Sequence, residues 1–130
     1  QEQVSLIPYS PLAGGVLSGK YNDGDFPEGS RFSLYQHAPE RQRRILKRFV
    51  NERSIESTRR FQQIAADLWM SVVTLAIAWS KQHDFVASTI VGATAPEQMP
   101  DILAAADVVL DEATLKRINA VSRELLYPMG

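Results

Sequence analysis

The stretch Leu6-Ile7-Pro8-Tyr9-Ser10-Pro11-Leu12-Ala13-Gly14-Gly15-Val16-Leu17-Ser18-Gly19-Lys20-Tyr21 decides the fold. It opens on a short apolar run of the kind a buried strand has, breaks at Ser10-Pro11, loosens at two adjacent glycines and closes on one lysine. A strand followed by a polar loop at its carboxyl end is the arrangement in which α/β proteins hold ligands. Amides freed by glycine, next to a lysine, suit an anion, and phosphate is the expected one.

Gly14 to Lys20 fits the first seven positions of the phosphate-loop pattern G-x-x-x-x-G-K-[ST]. The eighth position is Tyr21, which cannot supply the magnesium-binding hydroxyl of that loop. A helix should also open at the lysine, yet Asn22-Asp23-Gly24-Asp25-Phe26-Pro27-Glu28-Gly29 is rich in turn residues. Both points weigh against a nucleoside triphosphatase.

Working outward, Val4 to Tyr9 reads as a first strand and Val86 to Val91 as a second. Residues 10 to 39 form one long connection, and loops of that length are more often functional than idle. Arg31, just past Gly29-Ser30, is the basic residue expected against a ligand; a solvated surface arginine is the competing reading. Eight of the fourteen Lys and Arg residues fall between Glu40 and Arg60. Ile45, Leu46, Phe49 and Val50 alternate with them at helical spacing, which puts most of these charges on the outer face of an amphipathic helix. Without a net positive field, nucleic acid is not the expected partner.

Further on, an apolar stripe through Ile55, Phe61, Ile64, Ala65 and Leu68 predicts a helix from Glu56 to Trp69. Ser71 is the expected N-cap of a helix from Val72 to Gln82, with Leu75, Ala76 and Trp79 facing the core. After the second strand, Thr94 and Glu97 fit the S/T-x-x-E capping box, so strand, Gly92 and helix start make a second anion site. Pro100 lies inside that predicted helix, which therefore starts later or kinks. Asp111 is the expected cap of a last helix whose inner face runs through Leu115, Ile118, Ser122 and Leu125. The alternation of strands and helices implies a parallel sheet with right-handed crossovers.

Ser10 to Tyr21, followed by Pro27-Glu28-Gly29-Ser30-Arg31, resembles the seventh strand and loop of the aldo-keto reductases, nearest the branch with the potassium-channel β subunits and related bacterial oxidoreductases. Leu75-Ala76-Ile77-Ala78-Trp79 is similar to the helix before the family's last barrel strand. Gly92-Ala93-Thr94 is similar to the motif after the eighth strand. The resemblance implies a (β/α)8 barrel that binds NADP(H) and reduces aldehydes or ketones. It places Ser10, Pro11, Leu12, Ala13 and Gly14 beside the nicotinamide and pyrophosphate, and Lys20 and Arg31 toward the phosphates. By the same match Gly92 and Thr94 touch the adenosine 2'-phosphate, and Gln98 and Asp101 face the adenine side. Two positions depart from the family. Asp101-Ile102 stands where Glu-Asn is common, so Ile102 gives no amide hydrogen bond, and Trp69 stands where glycine is usual.

A complete barrel takes about 250 residues, roughly twice the 130 present. The expected architecture is thus the carboxyl-terminal part of a barrel, its last two β/α units plus extra helices, with the whole chain serving as cofactor-binding portion. In the family a tyrosine donates the proton, tuned by lysine, aspartate and histidine on earlier strands. No catalytic residue is expected here, and His37, His83, Tyr9 and Tyr21 match none of that set. Three readings follow: part of a carbonyl reductase, a non-catalytic cofactor-binding or regulatory module, or a structural half-barrel pairing with another chain. Alone, the chain is expected to be oligomeric or partly unfolded, because two strands cannot close a barrel.

Composition sets outer bounds. The chain is 45% hydrophobic with net charge −1 and lacks a run of about 18 apolar residues, and Gln1-Glu2-Gln3 is not the basic start expected of a signal peptide. No membrane association is expected. Zero cysteines exclude disulfides and agree with a cytoplasmic origin, and two histidines make a metal site unexpected.

Overall fold

Among the described residues six helices follow one another: α1 (Arg31–Gln36), α2 (Glu40–Phe49), α3 (Glu52–Asp67), α4 (Val72–Lys81), α5 (Met99–Ala104) and α6 (Glu112–Glu124). The structure is a computed structural model and describes residues 4–129; Gln1-Glu2-Gln3 and Gly130 lie outside the described residues. Two 3₁₀ segments, Ala13–Ser18 and Pro96–Gln98, precede α1 and α5.

The two predicted strands meet side by side, but as isolated parallel bridges, Leu6 to Val86 and Tyr9 to Ile90, rather than as a continuous ladder. The Leu6 N–H donates to the Phe85 carbonyl at 2.7 Å, Ala87 N–H to the Leu6 carbonyl at 2.9 Å, and Ile90 N–H to the Pro8 carbonyl at 2.8 Å. Pro8 has no N–H to return, and a lone strand pair is marginal without further strands beside it. Val4, Leu6, Ile7, Tyr9, Phe85 and Ile90 all remain exposed. No closed barrel exists among the described residues.

Capping explains where the helices start. Ser71 Oγ accepts from the Thr74 N–H at 3.0 Å, and Asp111 Oδ1 accepts from the Thr114 N–H at 2.7 Å. Hydrogen bonds from Thr114 hold the Asp111 carboxyl below the usual carboxylate range. The expected helix from Glu56 instead begins four residues earlier, because Asn51 and Ser54 form a reciprocal capping box. Pro100 falls in the first turn of α5, where its missing N–H costs nothing. The supposed loop of residues 10 to 39 is not structureless, since it holds a 3₁₀ segment and α1.

Two apolar clusters form the interior. The larger joins Ile64 and Ala65 of α3, Val72, Leu75, Ile77 and Ala78 of α4, Ile102 and Ala105 around α5, and Ile118 and Val121 of α6. The smaller is Ala13, Val16, Tyr21 and Phe32, covered by Ile45, Leu46 and Phe49 of α2. Three expected core positions are corrected. Ser122 is exposed, its hydroxyl bonded back to the Ile118 carbonyl, and Val121 takes its place. Ala76 and Trp79 are not core but line a largely apolar cavity of about 160 Å³ with Pro11, Leu17, Phe61 and Leu75. The Trp79 ring stays 43% exposed.

Between α3 and α4 the chain bends by 92°. Met70 N–H reaches the Ala65 carbonyl at 3.1 Å and Trp69 N–H the Ala66 carbonyl at 3.0 Å, the paired bonds of a Schellman cap. That cap needs a left-handed residue, and Trp69 takes it at φ 57 while 97% exposed. A β-carbon in that conformation costs about 1 kcal/mol, and Trp69 recovers nothing by burial. Trp69→Gly is therefore expected to raise stability by about 1 kcal/mol in urea unfolding. An unchanged or lower midpoint would contradict this account of the corner.

Candidate functional site

Parallel pairing has a geometric consequence: both segments run the same way, so their carboxyl ends emerge at the same edge. The Tyr9 to Ile90 bridge sets Ser10 and Val91 as the next residues on each side. There the chain surrounds a cleft of about 760 Å³, of a size that takes small molecules and cofactors. From the first segment come Ser10, Pro11, Leu12, Gly14, Lys20 and Arg31; from the second come Gly92, Thr94, Gln98 and Asp101. Ten of the eleven sequence-predicted site residues thus line one cavity. The eleventh, Ala13, is buried in the smaller core cluster and is not part of the lining.

The 3₁₀ fold of the first loop alters the expected anion chemistry. Gly14 N–H donates to Ser10 Oγ at 3.2 Å, and the Ala13 and Gly15 amides donate to the Ser10 and Leu12 carbonyls, each at 2.9 Å. Amides spent inside a turn are not free for a ligand. Positive charge is what the loop offers instead. Lys20 and Arg31 form no ion pair among the described residues. The Lys20 Nζ lies 5.3 Å from the centre of the Tyr21 ring. Gly15 allows that pose, because at φ 98 a β-carbon there would sit 2.8 Å from Lys20 Cε.

The second loop differs from its expected form as well. The residue before its 3₁₀ turn is Ala95, which supplies no side-chain cap. Thr94 pairs not with Glu97 but with Gln98, whose Oε1 accepts from the Thr94 N–H at 3.0 Å and whose Nε2 donates to Thr94 Oγ1 at 3.2 Å. The longer reach of glutamine at i+4 wins over the glutamate at i+3. With only six residues, α5 also adds little dipole. Gly92 has open space around it, so its missing side chain leaves room in the cleft.

Several lining residues were not among the expected site residues. Gly15 and Ser18 lie within the quoted stretch, and Glu97 lies in the second motif. Phe49, Val73, Ile77 and Ile102 line it from α2, α4 and α5. Phe49 was read only as part of the apolar stripe of its helix and Ile102 only as a departure at the adenine edge, and nothing local marks a helix residue that also borders a cavity. His37 and His83 are outside the lining; His83 stacks on Phe85 with ring centres 5.0 Å apart.

The family model described as Aldo/keto reductase family matches residues 1–123. The chain belongs to the aldo/keto reductase family. Among similar proteins is the "Probable voltage-gated potassium channel subunit beta" of Oryza sativa subsp. japonica, 35% identical over 120 residues, covering 91% of this chain and 35% of that protein. Its namesake from Arabidopsis thaliana is 36% identical over 120 residues, with coverage of 91% and 35%. "Protein tas" of Escherichia coli (strain K12) is 31% identical over 127 residues, covering 98% of this chain and 34% of that protein. The chain therefore spans about a third of the length of the curated relatives it matches. Aldo/keto reductases are oxidoreductases, and the family's fold is a (β/α)8 barrel.

Among the described residues no group of side chains is arranged to hold a metal ion, and no single helix is long and apolar enough to cross a membrane.

Proposed function

We propose that this chain is the NADP(H)-binding, carboxyl-terminal part of a (β/α)8 barrel that reduces aldehydes or ketones by hydride transfer, and that it contributes no catalytic residue itself. One observation carries the reading: residues from two distant segments, selected for a dinucleotide, converge on one cleft through a parallel register. The uncovered apolar edge supports the barrel, because further strands would pair with it and bury Leu6, Ile7 and Ile90.

The residues present fit the cofactor. Lys20 and Arg31 are cations that form no ion pair among the described residues, on a cleft of sufficient size, as a pyrophosphate requires. Ser10, Pro11 and Leu12 are assigned to the nicotinamide side, and Gly92 and the Thr94 hydroxyl to the 2'-phosphate. Gln98 and Asp101 take the adenosine side. NADPH, when bound, supplies the hydride; the chain's part is to fix and orient its carrier. The protein is proposed to work in the cytoplasm, with a small carbonyl compound as substrate of the complete protein and self-association as its expected assembly.

A second reading is favoured by two relatives that are named as probable potassium channel β subunits: a cofactor-binding regulatory module without turnover. Titrating the complete protein, with the rest of the proposed barrel present, with NADPH and NADH by cofactor fluorescence, and assaying aldehyde reduction on the same sample separates these. Saturable binding with turnover is the expected result. Binding without turnover would favour the regulatory module, and binding of neither nucleotide would overturn both.

A further inference from the structure

Helix α2 poses a problem of anchoring. None of its residues is fully buried, yet its Phe49 lines the cleft and packs on Phe32 with ring centres 5.7 Å apart. Phe32 in turn backs the glycine loop, where a β-carbon on Gly14 would meet its ring at 3.1 Å. Packing of Ile45, Leu46, Phe49 and Val50 on the smaller cluster holds α2 from one side only.

A second hold comes from the carboxyl-terminal segment. Arg48 Nε donates to the Met129 carbonyl at 2.9 Å, Asn51 Nδ2 to the Pro128 carbonyl at 3.0 Å, and an Arg53 guanidinium nitrogen to the Leu126 carbonyl at 2.8 Å. The three donors span the junction between α2 and α3, so the segment ties the end of α2 to the start of α3. The Met129 side chain adds a contact to the same cluster as Phe49. Every acceptor is a backbone oxygen, while Tyr127 points its side chain into solvent at 83% exposure.

We propose that the segment Leu126–Met129 is a latch: its carbonyls pin α2 to the start of α3 and thereby keep Phe49, Phe32 and the glycine loop in place at the cleft. A fully formed latch slows exchange of whatever occupies the cleft; a released one lets α2 swing and opens it. Only this consequence rests on the cofactor reading, since the pinning of α2 stands on the contacts alone.

Amide hydrogen exchange on the full chain tests it without a ligand. Two alterations release the latch independently: ending the chain after Leu126, which removes the acceptors of Arg48 and Asn51, and the double variant Arg48→Met with Arg53→Met. Both are expected to speed exchange across residues 31–50 by about tenfold while the amides of α4 and α6 keep their rates. Tyr127→Ala, which keeps every carbonyl, is expected to change nothing. Unchanged exchange in either altered protein overturns the latch. Faster exchange in the arginine variant alone also overturns it, because Arg48 lies over the Phe49 ring and would then be acting through that contact. NADPH is the probe for the consequence, with dissociation expected to be about tenfold faster in both latch variants. Wild-type protein that binds no NADPH would overturn the cofactor reading and leave the exchange result to judge the latch.

Discussion

Replacing Lys20 and Arg31 together by methionine is expected to weaken NADPH binding by about 100-fold, the largest functional loss available to two substitutions in this cleft. The reasoning begins with what the loop cannot do. Its Ala13, Gly14 and Gly15 amides are committed to Ser10 and Leu12, and the Thr94 amide is held by Gln98. With these donors taken, the charge of a dinucleotide is met chiefly by the two cations. Hydrogen bonds to charged groups contribute about 1.5–3 kcal/mol each, and the exposure of Arg31 places it at the low end of that range. Methionine keeps the apolar stem, so Lys20→Met preserves packing near Tyr21 while removing charge.

Each single variant is expected to lose about tenfold, and raising ionic strength should weaken the wild type more than the double variant. Cofactor fluorescence titrations at two salt concentrations measure both effects. An affinity within threefold of wild type in the double variant, with no change in salt dependence, would mean that the cleft holds no phosphate at this loop.

How much of this was legible in the sequence depends on how far each interaction reaches along the chain. Ser71 and Asp111 act on amides three residues away, and both caps stand where the residues predict them. Asn51 was missed because its capping partner is Ser54 rather than a glutamate, so the familiar pattern is absent though the physics is the same. The extended segments and their parallel direction were legible, whereas the shrinking of the ladder to two isolated bridges was not, since a ladder depends on neighbours that no local pattern encodes. The same limit applies at the cleft. Ten of its residues were found because two motifs carry them, and Phe49 was not, because a helix stripe looks alike whether it faces a core or a cavity. The amides of the glycine loop were misjudged for a different reason: glycine predicts freedom, but the 3₁₀ turn that this freedom permits consumes the donors it was expected to offer.

Leu75→Ala is expected to cost about 3 kcal/mol of stability, the largest effect of any single truncation considered. Leu75 is 2% exposed and sits where α4 meets the larger core cluster. It also borders the apolar cavity of about 160 Å³, so the truncation enlarges an existing void rather than opening a new one. The surrounding residues cannot close that void cheaply. Phe61 and Ile118 are fixed on α3 and α6, and those two helices are tied by Arg60 to Glu124 and by Arg117 to Asp67 at 2.5 Å. Loss of dispersion contacts therefore adds to the loss of transfer free energy. Because Val73 and Ile77 of the same helix line the cleft, loosening α4 should also reduce NADPH affinity, though less than removal of Lys20 and Arg31. Val109→Ala provides the control, since Val109 is 88% exposed and its truncation should leave the urea midpoint unmoved. If Leu75→Ala proved as mild as Val109→Ala, the helices would be repacking around the void, and the larger cluster could not be the rigid support on which the cleft depends.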